Sequence, residues 1–156
     1  MNYITVAFSH DPRSLFSRVI SYLTFGRMSH VALVNGDEVI EAMADSAIYT
    51  GVRRIKLLEW IDQNPGGEIR RIRHPWPVAV WGHARTQIGK PYDWGWVLGF
   101  FFRQRNWHDE QKWTCAELVA WACEKAGKPI LAGDAQWCVT PNILYMISEP
   151  NDERLD

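Results

Sequence analysis

The stretch Trp113-Thr114-Cys115-Ala116-Glu117 carries the strongest local signal for chemistry in this chain. Thr114 with Glu117 three residues later is a capping box, which predicts Thr114 as an N-cap and Cys115 as the first residue of a helix. A thiol there lies at the positive end of the helix dipole, among backbone N–H groups that have no partner within the helix. Both effects favour the thiolate, the form that attacks a carbonyl, and the same N–H groups could hold the oxyanion that results. The competing reading is a small buried apolar residue, as free cysteines often are. Cys123, eight residues further on, lies about 12 Å away by helical rise and cannot bridge to Cys115, so it reads as core. Cys138 falls in an expected loop.

A thiolate nucleophile needs a base, and the N-terminal third of the chain offers one. Ser29 to Val34 is a β run, Asn35-Gly36 is the strongest short hairpin signal, and Asp37 to Ala42 is the return strand. With Asn35-Gly36 as a two-residue turn, paired positions sum to 71 and His30 lies directly opposite Glu41. Cross-strand partners have Cβ atoms about 4.5–5.5 Å apart, so imidazole and carboxylate can meet. A carboxylate on one ring nitrogen fixes the tautomer and supports the imidazolium, leaving the other nitrogen for a nucleophile. The alternative is a solvent-facing pair worth about a few tenths of a kcal/mol, and a one-residue slip of the turn would separate the two side chains. Cys, His and Glu together supply nucleophile, base and orienting group, the set required for covalent acyl transfer.

The segments Ser-His30-Val-Ala-Leu-Val, Val-Ile-Glu41-Ala and Thr-Cys115-Ala-Glu-Leu-Val, in that order, resemble the circularly permuted NlpC-type papain-like cysteine amidases. That group includes YiiX-like enzymes and, more distantly, lecithin:retinol acyltransferase. The resemblance covers roughly residues 28–124, and Gly89-Lys-Pro-Tyr-Asp93 is similar to the motif upstream of the nucleophile helix. It implies a permuted papain-like α+β fold, with an antiparallel sheet packed against helices that include the nucleophile helix. It also implies Cys115 as nucleophile, His30 as general base and then acid, Glu41 as the group orienting His30, and no cofactor. Tyr92 becomes a candidate for lining the site or assisting the oxyanion, beside its plainer reading as a turn aromatic packed on the core. The sequence departs from the family at Ala116, where Ser is common. The implied substrate is an amide or ester, a peptidoglycan-type peptide in one branch and a lipid amide or ester in the other. A non-catalytic binding or virion-structural module on the same fold would carry the same letters.

These groups have to be positioned by a modest set of elements. Asn2 to Phe8 reads as a strand, and Asp11-Pro12 as the start of a helix carrying Leu15, Phe16, Val19, Ile20 and Leu23 on one face, with Gly26 as its stop. Ile48 to Leu58 is expected to be extended and Glu68 to Arg73 to be another strand. Helices are expected from Pro77 to Gly89, from Asp93 (as N-cap) to about Arg103, from Thr114 to Gly127, and from near Pro141. Strands and helices without regular alternation indicate an α+β class.

The 156 residues suit one domain over 1–156, with 47% apolar residues to fill its core. A net charge of −1 removes the bulk electrostatic case for a nucleic-acid partner. Two basic clusters, Arg53, Arg54 and Lys56, then Arg70, Arg71 and Arg73, read as solvated strand faces or as anchors for an anionic substrate. The apolar run Trp94 to Phe102 reads as core or as the border of an acyl groove. At nine residues it falls far short of the roughly 20 needed to span a bilayer, so no integral membrane segment is expected. The start lacks the features of a secretory signal, and the expected location is cytoplasmic or delivered by a phage particle or secretion system. His10, His74, His83 and His108 show no metal-ligand spacing, and no metal site is expected. The oligomeric state is open.

Overall fold

A computed structural model describes residues 2–11, 17–18, 21–22, 26–45, 49–94, 111–132 and 138–151. Within them the chain forms β1 (Tyr3–Ser9), β2 (His30–Asn35), β3 (Glu38–Asp45), β4 (Tyr49–Lys56), α1 (Leu57–Gln63) and β5 (Glu68–Arg73). There follow α2 (Pro77–Arg85), α3 (Cys115–Lys125), α4 (Pro141–Ile147) and β6 (Glu149–Pro150). The strands make one six-stranded sheet in the order β4-β3-β2-β1-β5-β6, antiparallel throughout. The α+β class read from the element order is the one the chain adopts.

Both faces of the sheet centre are covered. On one face Val6, Phe8, Val31, Leu33, Ile40 and Ala42 meet Leu118, Val119 and Ala122 of α3 and Val80 and Ala84 of α2. On the other, Ala7, Ala32, Val34 and Val39 lie under Trp60 of α1. This double burial explains why Val-Ala-Leu-Val in β2 is continuously apolar rather than alternating.

The structure corrects two sequence expectations. The hairpin turn is Gly36-Asp37, not Asn35-Gly36: Asn35 still pairs with Glu38, and paired positions sum to 73 rather than 71. Gly36, with φ +59°, takes the first turn position, where glycine enters the left-handed region without cost. The expected extended run to Leu58 ends at Lys56, where a seven-residue helix begins with no side-chain cap. Its first N–H is satisfied from elsewhere, since Leu57 N donates to Asp37 O across 2.8 Å. No local start signal announces this helix, because the hairpin turn does the capping.

The helix expected from Pro77 to Gly89 starts at Pro77 but ends at Arg85, and the other expectations lie closer to the structure. α3 starts at Cys115 with Thr114 as N-cap, and Gly127, at φ +94°, follows its end. Residues 17, 18, 21 and 22 are helical, in keeping with a helix after Asp11-Pro12, while Leu15, Phe16, Val19, Ile20 and Leu23 lie outside the described residues. Trp94 is helical, and the rest of the helix expected to about Arg103 also lies outside them, as does His108. Among the described residues no helix is long and apolar enough to cross a membrane.

Candidate active site

Three parts of the chain meet at the site: the β2–β3 hairpin, the segment ending at Tyr92, and the start of α3. At α3 the capping box is complete. Glu117 N donates to Thr114 Oγ1 (3.3 Å) and Thr114 N donates to Glu117 Oε2 (3.2 Å). Thr114 Oγ1 also donates to Glu117 Oε2 at 2.9 Å, and both residues are buried, which fixes the first turn and with it the Cα–Cβ direction of Cys115. Cys115 keeps 6% of its surface exposed, while the His30 side chain above it keeps 19%.

His30 opens β2. Continued to the start of that strand, the hairpin register sets His30 opposite Met43, so His30 and Glu41 are diagonal neighbours rather than directly opposed. A two-residue shift preserves side-chain parity, so both residues stay on one face. Diagonal Cβ atoms lie about 7–8 Å apart, a gap that imidazole and a glutamate side chain can close. His30 Nε2 lies 2.6 Å from Glu41 Oε2, which leaves Nδ1 as the ring nitrogen for the sulfur. The ladder is also offset here: Ser29 N donates to Ser9 O although Ser9 itself pairs with His30. An offset of this kind re-aims a side chain, and His30 sits where it can also reach the helix packed on the opposite face. From below, Asn142 of α4 bonds both Met28 N and Met28 O at 2.8 Å, pinning the approach to β2.

Electrostatics couple the three groups. Burial opposes charge on His30, but hydrogen bonds to Cys115 and Glu41 and the charges on both lift its pKa to about 10. Burial would raise the Glu41 carboxyl, yet the His30 hydrogen bond and charge, followed by those of Arg53, hold it at about 2. Both shifts favour an imidazolium facing a carboxylate, an ion pair within reach of the Cys115 side chain. Cys123 differs: burial pushes its thiol up to about 12, which leaves it inert at ordinary pH. Cys138 is exposed.

Tyr92 pairs with Trp113 in an isolated parallel bridge, with Trp113 N on Pro91 O (3.2 Å) and Asp93 N on Trp113 O (3.1 Å). These bonds bring its buried side chain beside the entry to α3. Burial first, then the charges of Cys115, Glu117 and Asp93, push the phenol well above its usual range, so its O–H remains a donor. Asp93, read as an N-cap, directly precedes helical Trp94 and is buried.

Sequence reasoning missed Arg53 and Trp60. Arg53 does not sit on a solvated face: β4 places it directly across from Glu41, where its Nε donates to Glu41 Oε1 at 2.8 Å. Trp60 Nε1 donates to Glu41 Oε2 at 3.0 Å from α1, which covers that same face. The β3–β4 register would have revealed Arg53, but no turn signal marks that connection. The other basic residues are surface partners of acids: Lys56 with Asp37, Arg54 with Glu38, and Arg71 and Arg73 with Glu149, while Arg70 bonds Ser148.

No family model matches the chain, and no curated protein matches it. Among solved structures it is similar to the metalloprotein yiiX of Escherichia coli O157:H7 (DUF1105), with 20% identity and a TM-score of 0.58. The match covers 81% of this chain and 66% of that one, so the chain spans just under two thirds of that protein's length. At this identity the likeness shows a YiiX-like fold and nothing further. Among the described residues no three His, Cys, Asp or Glu side chains group to hold a metal. His74 Nε2 is bound to Lys128 O, His10 bonds the Ser17 and Ser21 hydroxyls, and His83 packs on Trp121.

Proposed function

We propose that this protein is a cysteine hydrolase that cleaves an amide or ester bond through a Cys115–His30–Glu41 triad, in a permuted papain-like arrangement. The observation that carries the reading is the His30 ring held 2.6 Å from the buried Glu41 carboxylate, with Cys115 at the capped start of α3 acting on the same ring. The Cys115 sulfur attacks the substrate carbonyl carbon and the carbonyl π pair moves onto oxygen. Backbone N–H groups at the start of α3 would receive that oxyanion, with Tyr92 the candidate to assist. His30 gives its proton to the leaving amine or alkoxide, and a Cys115 thioester remains. Water then loses a proton to His30 as its oxygen adds to the thioester carbonyl. Collapse releases the carboxylic acid and restores the thiolate–imidazolium pair.

The first substrate class to test is a peptidoglycan-type peptide amide, the second an N-acyl lipid. Incubation with muropeptides, and separately with N-acyl lipids, followed by mass spectrometry of the products, identifies the class. An electrophilic thiol probe should label wild type at Cys115 and leave Cys115→Ala unlabelled at every site but the exposed Cys138. Persistent probe turnover in Cys115→Ala would sink the assignment, and a wild type inert toward both substrate classes would favour a binding module.

A further inference from the structure

Glutamate is a flexible orienting group, with three torsions between backbone and carboxylate. Here its side chain has no exposed surface, and its carboxylate is held from three elements. Oε1 receives Arg53 Nε at 2.8 Å, with a second guanidinium nitrogen at 2.7 Å, from β4. Oε2 receives Trp60 Nε1 at 3.0 Å from α1 and faces His30 Nε2 at 2.6 Å from β2. The clamp is itself anchored, since Arg53 donates to Gln63 Oε1 at 2.7 Å and Gln63 Nε2 to Glu59 Oε1 at 3.1 Å. Stability alone is a poor reason for such an array, because a buried ion pair gains little over an apolar pair of the same volume.

We infer that Arg53 and Trp60 are positioning residues, which keep the Glu41 carboxylate ionised and aimed at His30 Nε2 through the whole reaction cycle. The inference rests on the hydrolase reading, because it concerns the base of that same site. During turnover His30 alternates between imidazolium and neutral imidazole. Each time it gives up its proton, Glu41 would be left as a buried charge facing a neutral ring, and a buried carboxylate without a cation tends to take up a proton itself. Arg53 supplies the permanent cation and Trp60 the fixed donor that stops the carboxylate rotating. Among the described residues, the charged and titratable groups facing Glu41 are His30 from β2 and Arg53 from β4, with the Cys115 side chain of α3 beyond the ring; Trp60 of α1 is neutral.

The test is a carboxyl-carbon NMR titration of Glu41 in ¹³C-glutamate-labelled protein, run beside the pH profile of iodoacetamide alkylation at Cys115. Arg53→Met should move the Glu41 titration up by roughly 1–3 pH units. It should also slow alkylation near pH 6 by roughly 10–100-fold, the range typical when a supporting partner of a functional ligand is lost. Arg53→Lys, which keeps the charge but not the fork, should recover part of both. Trp60→Phe should shift the carboxyl resonance and the His30 ring N–H signal together. If folded Arg53→Met and Trp60→Phe leave the Glu41 titration where it is in wild type, lowering only the melting temperature, the inference is overturned. Should Arg53→Met fail to fold, Arg53→Lys and Trp60→Phe decide it in the same way. A wild-type Cys115 no more reactive than a surface thiol would instead remove the hydrolase reading, and the carboxyl titration would still judge the clamp.

Discussion

His30 and Glu41 stabilise one another in opposite directions on the pH scale. The His30 pKa is raised from 6.5 to about 10 in the folded state, so its contribution is complete below 6.5 and fades as pH rises toward 10. The Glu41 pKa is lowered from 4.5 to about 2, so its contribution is complete above 4.5 and fades as pH falls toward 2. The pair contributes most between those two unfolded-state values. Relative to wild type, the melting temperature of His30→Gln should be depressed most near pH 5–6, and the gap should narrow steadily toward pH 10. A gap that stays constant from pH 6 to pH 10 would show that the His30 charge is not held by its partners. The His30 ring is more exposed than Cys115 or Glu41, so its ion pair with Glu41 is partly open to solvent while the carboxylate is not.

At the scale of elements, α3 does two tasks with one end. Its apolar side, Leu118, Val119 and Ala122, buries against the sheet, and its capped start presents Cys115. Thr114→Ala removes an acceptor for Glu117 N and a donor to the buried Glu117 carboxylate. The expected cost is about 0.5–2 kcal/mol in urea unfolding, accompanied by slower alkylation of Cys115, with Thr114→Ser recovering most of both. Unchanged alkylation in a destabilised Thr114→Ala would mean the cap holds the helix but does not set the sulfur. The seven-residue α1 has a comparable double part, being too short to persist alone. Its first N–H is taken by Asp37 O and its Trp60 fills the second apolar face, so it exists only where the hairpin already stands.

Across the molecule, the site depends on a close passage between β4 and the segment before Tyr92. Val52 N donates to Lys90 O and Gly89 N to Val52 O, each at 2.8 Å. Gly51 lies at this crossing with φ +127°, and a Cβ there would stand 2.6 Å from Lys90 O. Both the dihedral and the space demand glycine. Gly51→Ala should therefore cost about 1–3 kcal/mol of strain and displace Tyr92 from the entry to α3. Tyrosine fluorescence or an aromatic NMR spectrum would report the displacement, and a Gly51→Ala protein with wild-type stability would show that the crossing can relax freely. Sheet order compounds the dependence: β1 pairs with both β2 and β5, so the sheet centre forms only when distant segments have already met. Folding in the millisecond-to-second range is typical of such non-local pairing.

The amino-acid sequence by itself determined whatever local physics controls. Thr114 and Glu117 cap the helix wherever it packs, Gly127 follows its end, and the turn chemistry around Gly36 makes a hairpin. The pairing of His30 with Glu41 survived an incorrect register, because side chains alternate with period two and the turn moved the pairing by two positions. Only the tertiary structure decided which donors surround Glu41. Arg53 arrives through a β3–β4 register with no turn signal, Trp60 through a helix whose first N–H is satisfied by a carbonyl twenty residues earlier, and Asn142 from the far end of the chain. The energies that select these contacts come from burying groups brought together by the finished sheet, and no window of neighbouring residues contains them.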